Sequence, residues 1–167
     1  MKHAKIFLLI VLALGLLSGC QGKQEEGPQP MDEVSGHIWK GEDGSQLQLE
    51  EDGSFTWYLE PEAPNDHYYT GTYTVYNGND AIAFLAESDY GITEGEQRQM
   101  ISRVKDYTIE TYYVLILNQE TLISGGVNTL PAEGASVHYY GFFYPETLLL
   151  ELGNLDAVKF ENFTRTK

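Results

Sequence analysis

A single cysteine occurs in the 167 residues, which rules out an internal disulfide framework and any metal or redox centre built from paired thiolates. Basic residues are scarce too: 10 Lys and Arg stand against 25 Asp and Glu, for a formal net charge of −15. Phosphate backbones are repelled by such a surface, so nucleic acid is excluded as a partner, and anionic wall polymers with it. Cationic peptides, amines and divalent cations are attracted at long range. No apolar run reaches the roughly 20 residues that a membrane-crossing helix needs; the most pronounced one extends only from Ile6 to Leu17. Also missing are a Gly-x-Ser-x-Gly elbow, a glycine loop for phosphate, and histidine pairs at metal-ligand spacing. These absences lead to the expectation of no cofactor, no metal and no catalysis.

What is present begins with an address. Lys2, His3 and Lys5 precede the apolar run, and the small residues Ser18 and Gly19 follow it, the layout of a secretory signal. Leu17-Ser18-Gly19-Cys20 resembles the lipobox of bacterial lipoproteins at all four positions. The resemblance implies that residues 1–19 are removed and that Cys20 carries diacylglyceryl and fatty acyl chains such as palmitate. Two or more chains suffice for stable anchoring, since each buried CH₂ contributes about 0.8 kcal/mol. The partner so implied is the membrane, at its extracytoplasmic face. Gln21 and Gly22 offer no acid of the inner-membrane retention type, so a Gram-positive surface is expected. Residues 20–35 are polar, with Gly and Pro and no hydrophobic period, and are expected to form a flexible tether. The folded domain is expected over 36–167.

Within that domain Glu42-Asp43-Gly44-Ser45 recurs as Glu51-Asp52-Gly53-Ser54. Loop length decides which side chains share a face. Three-residue loops closed by glycine in the left-handed region pair Trp39 with Leu47, Leu47 with Trp57 and Leu49 with Phe55, giving one apolar face across three strands. Residues 68–77 read as a fourth strand, with Gly71, Tyr73 and Val75 turned inward and Asn77-Gly78 ending it. Ala81 to Ala86 then has helical composition behind the capping acid Asp80, with Gly91 as its stop. Thr93 and Glu96 form a capping-box pair ahead of Met100, Ile101 and Val104 at helical spacing. Residues 111–117 are apolar on both faces and need cover on both, the helices being the cover for the outer one. Strands are expected near 121–124, 136–144, 147–152 and 157–163, with a turn at Tyr144-Pro145-Glu146-Thr147. The fold class is therefore mainly β (α+β): an antiparallel up-and-down, barrel-like meander of about nine strands, with a helical pair inserted near residues 80–105.

Gly36-His37-Ile38-Trp39 is similar to the Gly-x-Trp signature of lipocalins, with one extra residue. The domain resembles the small lipocalin-like or calycin-like modules of bacterial lipoproteins, and the resemblance implies binding of small apolar molecules or proteins.

Aromatic residues are the strongest chemical lead. The chain has 12 Tyr, and Tyr58, Tyr68, Tyr69, Tyr76, Tyr112, Tyr113, Tyr139, Tyr140 and Tyr144 fall in adjacent or alternating sets, so some must face away from the core. Exposed tyrosine offers a rigid apolar plate with a hydrogen-bonding tip; an unexceptional half-buried sheet surface explains the same pattern. Trp39, Trp57, Tyr58, Tyr69, Tyr73 and Tyr139 are the expected ligand-binding set. His37, His67 and His138 are weighed as metal ligands and set aside for want of spacing. Glu60, Glu62 and Asp66, in one loop beside Trp57 and Tyr58, are the carboxylates a glycan- or peptide-processing enzyme would use. The leading expectation is a non-catalytic binding module for a small amphiphile or a protein partner. The alternatives are that enzyme, and a structural or inhibitory envelope protein with no ligand.

Overall fold

The computed structural model describes residues 33–60, 66–157 and 159–166; the expected leader, Cys20, the expected tether up to residue 32 and Glu62 lie outside them. Four strands open the domain: β1 (His37–Gly41), β2 (Gln46–Leu49), β3 (Ser54–Tyr58) and β4 (His67–Asn77). Two helices follow, α1 (Gly78–Glu87) and α2 (Glu94–Arg103), and then β5 (Tyr112–Ser124), β6 (Val127–Asn128), β7 (Ala135–Tyr144), β8 (Leu149–Asn154) and β9 (Lys159–Arg165). Every strand except β6 belongs to a closed eight-stranded antiparallel barrel, in which neighbours in sequence are neighbours in space and β9 returns to pair with β1. β6 is a short extra strand on the far part of β5.

Both Asp-Gly loops set the register expected of them. Trp39 faces Leu47, Leu47 faces Trp57 and Leu49 faces Phe55. Gly44 and Gly53 adopt φ of 88° and 83°, a region costly for any residue with a Cβ. The aspartates supply the rest of each turn: Asp43 Oδ1 accepts from Ser45 N and Asp52 Oδ1 from Ser54 N, each at 2.9 Å.

Strand alternation then divides the apolar residues between two cores. Trp39, Leu47, Leu49, Phe55, Tyr73, Tyr113, Leu115, Leu117, Phe143, Leu150 and Phe163 are among those that fill the barrel. The alternate residues of β5, namely Tyr112, Val114 and Ile116, lie outside it under Ala81, Ile82, Leu85 and Ile101 of the helices. The two-faced hydrophobicity of β5 thus has its cover on both sides, and each large side chain so buried contributes about 1.5–3 kcal/mol.

Several boundaries differ from the sequence reading. The segment near 121–124 is no separate strand but the continuation of β5 beyond a bulge, where the pairing passes from Gly71 with Gln119 to Thr70 with Thr121. Glycine is needed at 71 because a Cβ there would collide with Asn118 O. The final strand runs two residues later than expected, Lys159–Arg165. Asn77, not Asp80, is the α1 N-cap; Asp80 lies in the first turn and acts on the helix dipole instead. α1 stops at Ser88, whose N and Oγ both donate to Leu85 O, at 3.3 and 2.7 Å, ahead of Gly91. The Thr93–Glu96 capping box forms as expected, whereas Val104 is the exposed C-cap of α2 and not part of its buried stripe.

The barrel has two unlike ends. At the end where residue 33 arrives, Val34 and Ser35 pack beneath the strands. Trp39 Nε1 donates to Val34 O at 3.0 Å, and the Tyr73 hydroxyl lies 2.6 Å from Glu50 O and 2.7 Å from Ser35 Oγ. The opposite end carries the connections β1–β2, β3–β4, β5–β7 and β8–β9. It also carries the α1–α2 connection, because α1 starts at the closed end and runs the length of the barrel.

Candidate functional site

The α1–α2 connection, residues 88–93, folds over the outer face of β7 at the end far from residue 33. Strand parity dictates what it meets there. His138, Tyr140, Phe142 and Tyr144 point outward from β7, whereas Tyr139 and Phe143 point in. Phe142 and Tyr144 are covered by Tyr107, whose ring centroid stacks 3.7 Å from that of Phe142. His138 and Tyr140 are left beside the connection.

Two solvent-open hollows flank it. One, of about 320 Å³, has Ile92, Met100, Tyr112 and Tyr140 as its apolar lining and Glu96 and Gln97 at its polar edge. The other, of about 580 Å³, is lined by Phe84, Glu87, Ser88, Asp89, Tyr90 and His138. Both fall in the size range of ordinary ligand sites. The floor between helix and sheet is held rigidly by Gln97, which is buried: its Nε2 donates to Ile82 O at 3.0 Å and its Oε1 accepts from the Tyr112 hydroxyl, also at 3.0 Å. On the other flank, Tyr140 and Phe160 face each other across Gly153, where a Cβ would lie 2.9 Å from one ring and 3.0 Å from the other.

Polar groups between the hollows are ordered by one phenol. Tyr90 Oη lies 2.9 Å from Asp156 Oδ1 and 2.9 Å from His138 Nδ1. Its single proton goes to the carboxylate, so its oxygen accepts from the Nδ1–H of His138, which also lies 3.8 Å from Asp156 Oδ2. Partial burial, reinforced by the hydrogen bond and charge of Asp156, pushes the Tyr90 hydroxyl up to about 12. It is a neutral donor at physiological pH and no nucleophile. An aromatic stack runs alongside: Tyr76 on Phe84 at 4.4 Å and 21° between planes, and Phe84 on His138 at 6.5 Å and 23°.

Of the six residues named from sequence, the barrel brings three together. The Trp57 ring lies 6.4 Å from Tyr69, 6.3 Å from Tyr139 and 6.0 Å from Phe163, inside the barrel toward its far end. Trp57 Nε1 is buried with no hydrogen-bond partner among the described residues. Trp39 and Tyr73 serve instead in the closed end, fully buried and nearly so. Tyr58 points outward and pairs with Tyr68 at 5.6 Å. Cys20 lies outside the described residues.

Of the three loop carboxylates, Glu62 lies outside the described residues, and Glu60 and Asp66 each sit in separate, solvent-facing contacts. Glu60 and Asp66 are exposed; Glu60 meets His67 Nδ1 at 3.5 Å, and Asp66 contributes a backbone carbonyl to Gly125 N at 2.8 Å. The three histidines are held apart, His37 by Arg165, His67 by Glu60 and His138 by Tyr90. Among the described residues no group of three or more His, Cys, Asp or Glu is placed to hold a metal.

Nothing local in the sequence marks Phe84 or Tyr90 as a site residue, and His138 stands out there only as a candidate metal ligand. One signal was available: within 136–144 the residues His138, Tyr140, Phe142 and Tyr144 share a parity opposite to the inward Tyr139. Which helix would cover part of that row, and leave the rest bare, was not readable. No protein-family model, no curated protein and no solved structure matches this chain.

Proposed function

We propose that the chain is a lipid-anchored, extracytoplasmic binding module, a lipocalin-like barrel on a bacterial lipoprotein, which holds a protein partner on its outer groove and performs no catalysis. The observation that carries this reading is the division of the aromatic residues. The barrel is filled by its own side chains, Trp39, Phe55, Tyr113, Phe143 and Phe163 among them, whereas the groove beside residues 88–93 leaves Phe84, Tyr90 and Tyr140 only half-buried around open hollows. Open hollows suit an extended partner that touches several points, because an isolated small ligand needs most of its surface enclosed. The anchor fits the same picture: a chain held through Cys20 reaches the barrel at residue 33, so the groove's upper rim is at the end away from the attachment.

Two measurements test it. Metabolic labelling with a palmitate analogue is expected to mark the mature protein, and Cys20→Ser to release it unlabelled into the medium; an unlabelled wild type ends the placement. In a thermal-shift screen of peptides and amphiphiles against the mature chain, a saturable ligand is expected whose effect is lost in Tyr140→Ala and kept in Trp57→Phe.

One observation favours a second reading. Trp57 Nε1, buried with no hydrogen-bond partner among the described residues, would be satisfied by the acceptor of a small amphiphile seated between Tyr69 and Tyr139. The opposite result in the same pair of variants, loss in Trp57→Phe and retention in Tyr140→Ala, selects it.

A further inference from the structure

The larger hollow combines three features that no single element supplies. Its wall is formed by Phe84 and His138, half-buried members of the Tyr76–Phe84–His138 stack. Its rim carries the exposed carboxylates Glu87 and Asp89. Its back is His138, whose Nδ1–H is committed to Tyr90 and whose Nε2 has no hydrogen-bond partner among the described residues. An aromatic wall packs against the methylene stem of a long basic side chain while its charged head stays at the rim. The carboxylate rim adds Coulomb attraction for that charged head.

The long-range field has the same sign. Among the described residues, the connections at the end far from residue 33 carry acids or no charge: residues 42–45, 59–60, 66, 88–93, 125–134 and 155–157 hold no lysine or arginine. The nearby Lys159 is occupied, its Nζ lying 2.8 Å from Glu161 Oε1. Lys40, exposed beside the β1–β2 connection, is outnumbered by these acids, so a partner approaching that end meets net negative charge, which raises the association rate of a cationic surface and discourages an anionic one. The adjacent smaller hollow, with Ile92, Met100 and Tyr140, takes an apolar side chain.

We infer that the groove receives a protein segment in which a lysine or arginine and an apolar residue lie close together, the basic stem along the Phe84–His138 shelf with its charged head between Glu87 and Asp89, the apolar side chain against Met100 and Tyr140. This inference rests on the groove reading above and specifies its partner. It distinguishes a basic segment from a neutral one, and a protein segment from a free amine.

The test is nitrogen–proton NMR of the mature protein titrated with three alternating pentapeptides, leucine–lysine, leucine–serine and leucine–glutamate, and with phenethylammonium. Shifts are expected at Tyr90, His138 and Tyr140 with the lysine peptide, the glutamate peptide giving none. The double variant Glu87→Gln/Asp89→Asn, which changes only exposed side chains, is expected to weaken the lysine peptide about tenfold, equivalent to about 1.4 kcal/mol. Added salt is expected to weaken it further. Equal binding of the serine peptide overturns the basic partner while leaving the groove reading intact. Phenethylammonium binding as tightly as the lysine peptide overturns the protein segment in favour of a small amine. Shifts confined to Trp57 and Tyr69, or none with any probe, overturn this inference and the groove reading together.

Discussion

At single positions, burial, neighbouring charge and hydrogen bonding act together. His37 illustrates the point: Arg165 Nη1 donates to its Nε2 at 3.0 Å, and partial burial followed by the Arg165 charge lowers its pKa below the ordinary value near 6.5. Because the folded value is the lower one, the unfolded chain binds the proton more readily. This stability is complete above about pH 6.5 and is lost as pH falls through that value and then through the folded pKa. The melting temperature is expected to fall between pH 7 and 5.5, and His37→Gln, which still accepts from Arg165, to flatten that slope in a pH series of thermal melts. Tyr90 makes the second case. Tyr90→Phe removes both hydrogen bonds of its hydroxyl and is expected to cost about 0.5–1.5 kcal/mol by chemical denaturation. The His138 ring signals in NMR are expected to lose their single ordered tautomer with it.

Elements in this chain are held by their ends. α2 is short, 10 residues, and a helix of that length is marginal in water without its cap. Thr93 Oγ1 accepts from Glu96 N at 3.3 Å while Glu96 Oε2 accepts from Thr93 N at 2.9 Å. Thr93→Ala is expected to destabilise by about 1 kcal/mol and to raise hydrogen exchange first over Glu94–Gln97, read by exchange mass spectrometry. Strands depend instead on close approach. Gly141 sits where β7 and β8 press together, and a Cβ there would strike Glu151 O. Gly141→Ala is expected to cost about 3 kcal/mol or more, or to prevent folding, as judged by soluble yield and denaturation midpoint.

In the whole molecule the two cores share β5, so helices and barrel should melt together. Leu85 lies in the outer core and Leu115 in the inner one, both with no exposed surface. Leu85→Ala and Leu115→Ala are each expected to cost about 2–5 kcal/mol. The transitions followed by fluorescence of Trp39 and Trp57 and by far-ultraviolet circular dichroism should coincide in both variants. Separate transitions in Leu85→Ala would mean that the helical cover is an independent unit. A net charge of −15 adds a global effect, since self-repulsion destabilises the compact state and salt screens it.

The hairpin registers, the two-sided burial of β5 and the capping box of α2 are legible along the chain, because turn chemistry, strand parity and helix caps act over a few neighbouring residues. Trp39, Leu47, Leu49, Phe55 and Trp57 could be placed on one face from the spacing of two Asp-Gly pairs alone. The closure of β9 onto β1, the bulge opposite Gly71 and the grouping of Tyr90 with His138 and Asp156 were decided only by the tertiary structure. Those residues are 48 and 66 positions apart from Tyr90, and no local rule links positions so distant. The candidate site was the least legible part for the same reason. Which aromatic residues stay open depends on where the helices stop covering the barrel, and packing between remote segments sets that boundary.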